Sequence, residues 1–188
     1  MNQLKEILGQ QVTLTNDEWQ LFSSRLKRFE CPKKTLLLTT GQVEDHLSFL
    51  EKGIIRYYIP KEENDLTFDF TFENNFTSAY DSFITRQPSI YNIQALTNCV
   101  LWRISYPDLQ EVYNKSQMGN TIGRLAAEKL YLEKSRREKS LLNETAEQRY
   151  MNLFTEQEHL LLHIPLKYIA SYIGVTPQAL SRIRRRIS

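Results

Sequence analysis

Residues 164–188 read IPLKYIASYIGVTPQALSRIRRRIS, a stretch that joins amphipathic order to a dense basic face. Pro165 suits the first turn of a helix, and a helix from Leu166 to Ile173 buries Ile169, Ala170 and Ile173 on one side. Gly174 stands where the end of that helix needs a left-handed residue, a conformation that glycine takes without steric cost. Val175 plugs the turn, Thr176 caps a second helix and Pro177 begins it. In the second helix Leu180, Ile183 and Ile187 share one face. At about 100° per residue, Gln178, Arg182 and Arg185 gather opposite that face, with Ser181 beside them.

Two short helices about a glycine turn, with the small Ala170 at their crossing, make a helix-turn-helix. Its second helix fits the DNA major groove, where arginine pairs bidentately with guanine and glutamine with adenine. Thr176, at the start of that helix, joins the same surface. Arg184 lies near the buried edge, so it suits a backbone phosphate better than a base.

The bulk of the chain agrees with a protein of two functional parts. Its 188 residues hold 41% hydrophobic and 24% charged side chains, ordinary for a globular protein. Residues 1–120 carry 12 Lys/Arg against 15 Asp/Glu, net −3, and residues 121–188 carry 12 against 7, net +5. A basic rear half facing a polyanion explains that split, and an uneven solvated surface is the plainer alternative. No apolar run reaches the length of a membrane span, and the N-terminal MNQLKEILGQQ lacks the features of a signal peptide. Cys31 and Cys99 stand apart in the sequence with no CxxC pair, so a reducing cytoplasm is the expected location.

Along the chain, 15–29 reads as a helix, with a capping box of Thr15 and Glu18 and an apolar face of Trp19, Phe22, Leu26 and Phe29. From about 35 to 105, short runs such as LSFLEKGIIRYYI, LTFDFTF, IYNIQAL and CVLWRI alternate with turn signals. They suggest an antiparallel sandwich or barrel, with a hairpin turning at Lys52-Gly53. SYPD then starts a helix, and no proline follows before about residue 140. Met118, Ile122, Leu125 and Leu132 recur there at coiled-coil-like intervals, interrupted by Lys129. A second capping box, Thr145 with Gln148, opens a helix whose apolar face is Ala146, Tyr150, Leu153 and Phe154. The expected fold is α+β: a β-roll or jelly-roll sensor domain over 1–115, a long helix over 116–142, and a helix-turn-helix domain over 143–188.

With these parts in order, the chain resembles the Crp/Fnr family of bacterial transcription regulators, in the variety common among Bacteroidetes. The motifs that carry the resemblance are IPLKYIASYIGVTPQALSRIR and GQVEDHLSFLEKGIIRYYI, the latter similar to the first strands of a cyclic-nucleotide-binding β-roll. The resemblance implies a homodimer held by the long helix through Met118, Ile122, Leu125 and Leu132, and base contacts at Gln178 and Arg182. Double-stranded DNA, a second copy and RNA polymerase are the implied partners, with no membrane. Many family members carry a β-hairpin wing near the recognition helix, and none is expected after Ile187 here, which by the resemblance leaves Lys167 and the cluster Arg184, Arg185 and Arg186 to hold backbone phosphates.

The effector region departs from the family pattern. A cyclic-nucleotide site uses a Gly-Glu pair for the ribose and an Arg followed by a small hydroxylated residue for the phosphate. Here Asn75-Phe76 and Ser89-Ile90-Tyr91 occupy those places, so cyclic AMP is not expected and no cofactor is assigned. Tyr80, Ser82, Arg86, Ser89 and Tyr91 are candidates to line a pocket for another small molecule, with ordinary β-roll packing as the alternative. Two separated cysteines cannot ligate an iron–sulfur cluster, and His159/His163 fit a helix end better than a metal site. A cupin-like enzyme needs converging histidines, and residues 35–105 hold only His46, so no catalytic role is expected. A sensing or partner-binding module without DNA binding remains the other reading.

Overall fold

The computed structural model describes residues 1–187; Ser188 and the side chain of Met118, with the expectation placed on it, lie outside the described residues. The chain divides into two compact units. The first comprises Met1–Tyr57 and Phe70–Ala127, and the second comprises Tyr58–Asp69 and the residues from Glu128 onward. Among the described residues no helix is long and apolar enough to cross a membrane.

Helices α1 (Asn2–Gly9) and α2 (Asn16–Ser23) lead into β1 (Lys27–Cys31). The strands β2 (Leu36–Leu38), β3 (His46–Lys52), β4 (Ile54–Ile59), β5 (Leu66–Phe72) and β6 (Asn75–Thr77) follow. A short helix α3 (Tyr80–Thr85) then precedes β7 (Asn92–Ala95) and β8 (Cys99–Ser105). The strands form two four-stranded sheets, ordered β1-β8-β3-β6 and β2-β7-β4-β5. The core under the first sheet gathers Leu4, Leu8, Phe22, Leu26, Phe49, Phe83, Ile104, Leu109 and Val112. Burial stabilises the unit by about 1.5–3 kcal/mol per fully buried large apolar side chain of this cluster.

Two sequence expectations change here, the helix over 15–29 and the hairpin at Lys52-Gly53. The helix expected over 15–29 keeps its Thr15–Glu18 capping box but ends at Ser23. Residues 27–31 instead pair with β8, Lys27 opposite Arg103 through Cys31 opposite Cys99. The aromatic spacing that looked helical thus continues into a strand, where Phe29 lies beneath the Arg103 guanidinium at 4.8 Å. Helix α1 carried too few apolar positions to be read from sequence, yet Leu4 and Leu8, one turn apart, are fully buried.

The turn at Lys52-Gly53 exists, but β3 and β4 do not pair. The strand β3 lies between β8 and β6, and β4 between β7 and β5, so the turn is a corner that carries the chain from one sheet to the other. Gly53 has φ +112°, and a Cβ there would sit 2.6 Å from Cys99 Sγ and 2.8 Å from the Asn98 carbonyl oxygen. Both the backbone and the space demand glycine. A register shift between Leu50 and Lys52 bends the strand into this corner.

The helix that starts at SYPD ends before the long helix expected over 116–142 begins. α4 (Tyr106–Lys115) starts at SYPD as expected, with Ser105 Oγ accepting from the Asp108 amide at 3.3 Å. It ends at Ser116, whose extended backbone breaks the helix and whose Oγ accepts from the Gly119 amide. α5 (Gln117–Asn143) begins there. A Cβ on Gly119 would meet Val112 Cγ1 at 3.0 Å, and one on Gly123 the Tyr113 hydroxyl at 2.8 Å. These two glycines are where α5 closes onto α4. Residues 117–127 of α5 belong to the first unit and the remainder to the second.

The second unit continues with α6 (Ala146–Glu156), α7 (Glu158–His163), α8 (Leu166–Tyr172) and α9 (Pro177–Ile187). The Thr145–Gln148 capping box opens α6, and Tyr150 and Leu153 are buried while Phe154 is exposed.

Candidate nucleic-acid interface

The two helices of the opening motif form as their residues dictate. Ile169, Ala170 and Ile173 are buried on α8, and Leu180 and Ile183 on α9. Gly174 takes φ +81° between them, and the Val175 amide donates back to the Ala170 carbonyl at 2.9 Å. Thr176 Oγ1 accepts from the Ala179 amide at 3.2 Å and so caps α9. Only glycine meets the conformational demand at 174 cheaply, which is why the turn is tight.

With that face buried, the opposite side of α9 is left to solvent. Thr176, Gln178, Ser181, Arg182, Arg184, Arg185 and Arg186 are all exposed, as is Lys167 on α8. Ser181 donates to the Pro177 carbonyl, and Arg185 Nε to the Ser181 carbonyl at 3.4 Å, so both lean along the helix surface. Arg186 pairs with Glu147 at 3.5 Å, an exposed ion pair worth at most about 1 kcal/mol that a phosphate can displace. Lys167 lies over the Tyr168 ring at 4.7 Å. Every residue proposed for DNA contact therefore belongs to one unit, with Gln178, Ser181, Arg182 and Arg185 on one face of a single helix.

Several residues that hold this surface in place carried no sequence signal. The Arg149 guanidinium donates from Nε to the Ile173 carbonyl at 2.8 Å and also to the Glu144 carbonyl, tying α6 to the turn. Arg137 of α5 stacks over the Tyr172 ring at 3.8 Å and donates to the Tyr172 carbonyl at 2.6 Å. The tip between β4 and β5 also joins the unit. Ser171 Oγ donates to the Asp65 carbonyl at 2.7 Å and accepts from the Thr67 amide at 2.7 Å, while Lys134 pairs with Asp69. Lys134, Arg137, Glu138, Leu141, Leu142 and Phe68 line an open groove of about 350 Å³ in this unit.

Of the residues expected to hold two copies together, Ile122 is half-buried against the core of the first unit, Leu125 is half-buried, and Leu132 is 65% exposed. Tyr131 (71% exposed) and Leu142 (77%) were not anticipated. By helical periodicity they fall with Leu132 in a sector of about 100°, an apolar stripe on the outer half of α5.

The candidate effector residues are brought together around α3, but their polar atoms are engaged by neighbouring protein groups. Arg86 caps α3 in a left-handed conformation, donates to the Glu44 and Phe83 carbonyls, pairs with Asp45 and covers the Tyr106 ring at 4.6 Å. Ser82 Oγ donates to the Gln87 carbonyl and accepts from the Glu44 amide. Ser89 Oγ donates to the Tyr91 carbonyl at 2.9 Å, and the Tyr91 hydroxyl donates to Asp81. Burial, and after it the Asp81 carboxylate, raises the Tyr91 phenol and keeps it protonated. Tyr80 stacks on Phe83 with ring centroids 6.3 Å apart. Beside them the Glu44 carboxylate accepts from the His46 and Ala79 amides, and burial raises its pKa. His46 Nδ1 lies 3.1 Å from Arg103 Nη2. Among the described residues, no three or more His, Cys, Asp or Glu side chains are grouped to hold a metal ion.

Residues 28–116 match the cyclic nucleotide-binding domain family. The residues around α3 do not fit that ligand. A cyclic phosphate brought into a protein interior needs a cation or a full set of donors. Arg86 has given its guanidinium to Glu44, Phe83 and Asp45, the Ser82 and Ser89 hydroxyls donate to the Gln87 and Tyr91 carbonyls, and Asp81 adds negative charge. No curated protein sequence gives a significant match. Solved structures do. The c-di-GMP responsive global regulator CLP of Xanthomonas campestris is 16% identical with a TM-score of 0.71, covering 92% of this chain and 91% of its own. A CooA variant from Carboxydothermus hydrogenoformans is 14% identical with a TM-score of 0.73, covering 98% and 83%. A protein from Eubacterium rectale assigned to the Crp/Fnr family of transcriptional regulators is 18% identical with a TM-score of 0.72, covering 93% and 83%. At such identities the likeness is one of fold, and it spans both units: the chain has the Crp/Fnr-type architecture, and within it residues 28–116 match the cyclic nucleotide-binding domain family.

Proposed function

We propose that the chain is a DNA-binding transcription regulator that works as a homodimer on a pseudo-palindromic operator, with RNA polymerase as a further partner. The observation that carries the reading is the division of α9, with Leu180 and Ile183 buried on one side and Gln178, Ser181, Arg182 and Arg185 presented on the other. Arg182 and Arg185 read guanine edges, Gln178 reads adenine, and Thr176 and Ser181 support them from the start and flank of the helix. Lys167, Arg184 and Arg186 hold phosphates and set register. The apolar stripe of Leu132, Tyr131 and Leu142 supports pairing of two α5 helices, to which Leu125 contributes from its half-buried position. Two copies then present their α9 helices about 34 Å apart on one face of the duplex. Control by a cyclic nucleotide is not part of the proposal, because the residues around α3 are engaged by neighbouring protein groups.

The test is a retardation assay on fragments selected from genomic DNA by the purified protein. A subset of fragments is expected to be retarded, with affinity falling steeply as salt rises. Arg186→Ala weakens all fragments alike and flattens the salt slope by about one. Retardation of no fragment at low salt overturns the proposal and leaves a sensing or partner-binding module.

A further inference from the structure

We propose that Cys31 and Cys99 form an oxidation site, at which hydrogen peroxide converts two thiols into an intramolecular cross-strand disulfide. Far apart in sequence, the two residues are directly opposed in the β1–β8 register, Cys31 closing one strand and Cys99 opening the other. Opposed residues on antiparallel strands have Cα atoms about 4.5–5.5 Å apart. That separation lies inside the range of about 4.4–6.8 Å that a disulfide spans. Directly opposed residues of an antiparallel pair also project to the same face of the sheet, which makes the two side chains neighbours as well as the backbones. Both are free in the described structure, 6% and 2% exposed. The Cys99 sulfur rests against the corner at Gly53, where any side chain would displace it.

β1 is an edge strand and Cys31 is the more exposed of the two, so Cys31 reacts first. Its thiolate attacks one peroxide oxygen, the O–O bond breaks, and hydroxide leaves and takes up a proton as water. The product is a sulfenic acid on Cys31. Cys99, losing its proton, attacks that sulfur and forms the S–S bond, and the departing hydroxide leaves as the second water. Two thiols and one peroxide thus give one disulfide and two waters. Burial, and then the neighbouring Cys99, pushes the Cys31 thiol up to about 11, and burial also raises Cys99. Thiolate is therefore scarce at neutral pH, and the site answers sustained exposure to oxidant rather than a brief pulse. The rate accordingly rises about tenfold per pH unit across the neutral range, as the thiolate fraction does.

The experiment treats the full chain with hydrogen peroxide, removes the oxidant, denatures the protein and labels thiols with N-ethylmaleimide before intact mass measurement. The oxidised chain is expected to lose about 2 Da, to take no label, and to take two labels after reduction with dithiothreitol. In Cys99→Ser the 2 Da loss disappears and Cys31 is trapped by dimedone as the sulfenic acid. Two labels on the treated wild-type chain would overturn the proposal. So would sulfinic products without the 2 Da loss, or a disulfide between two chains.

Discussion

Replacing Arg182 and Arg185 together by alanine is expected to lower affinity for the selected operator by about 2–6 kcal/mol, roughly 30-fold to 10⁴-fold. Each bidentate arginine–guanine pair discriminates by about 1–3 kcal/mol, and the two residues lie three apart on one helix face. Affinity for unrelated DNA should fall far less, through the loss of two phosphate-attracting charges, so the ratio of specific to non-specific binding collapses. The fold should be untouched. Both side chains are exposed, and surface changes of this kind alter stability by no more than about 0.5 kcal/mol. The measurement is a pair of binding isotherms, operator and scrambled fragment, with thermal unfolding as the control. An equal loss on both fragments would reassign the two arginines to the phosphate backbone.

The second large effect concerns pairing. Leu132→Glu places a charge in the middle of the apolar stripe on α5, where a partner helix would bury it. Sedimentation should then report a monomer at concentrations where the wild type is a dimer. Operator affinity should fall by roughly 10²–10⁴-fold, because binding of the second half-site is no longer intramolecular. Stability of the isolated chain should scarcely change, since Leu132 is already 65% exposed within it. A dimer that survives this change would move the interface away from Leu132.

What could be read from the sequence divides along a physical line. The helix-turn-helix was legible because its signals are local: Pro165, Gly174, Thr176 and Pro177 each act on a neighbouring backbone group, and the apolar spacing lies within single helices. Both threonine capping boxes were legible for the same reason. The corner at Gly53 was not, because a glycine turn between two apolar runs looks alike whether the strands pair or part. That outcome depends on β3 meeting β6 and β8. The helical spacing of Trp19, Phe22, Leu26 and Phe29 misled because β1 pairs with residues 68 to 76 positions away. The clasp of Glu44, Ser82 and Arg86 and the opposition of Cys31 and Cys99 are likewise products of tertiary structure, separated by 38 to 42 positions in the clasp.

The claim on which the account rests is that the guanidinium face of α9 enters a major groove. Methylation of guanine N7 projects a methyl group into that groove at the atom an arginine would contact. Interference mapping on the selected operator tests the claim directly. The account predicts two clusters of guanines whose methylation blocks binding, about one helical turn apart and related by a two-fold axis, with the interference lost in the Arg182→Ala, Arg185→Ala double variant. Tight, selective binding indifferent to guanine N7 methylation would contradict it.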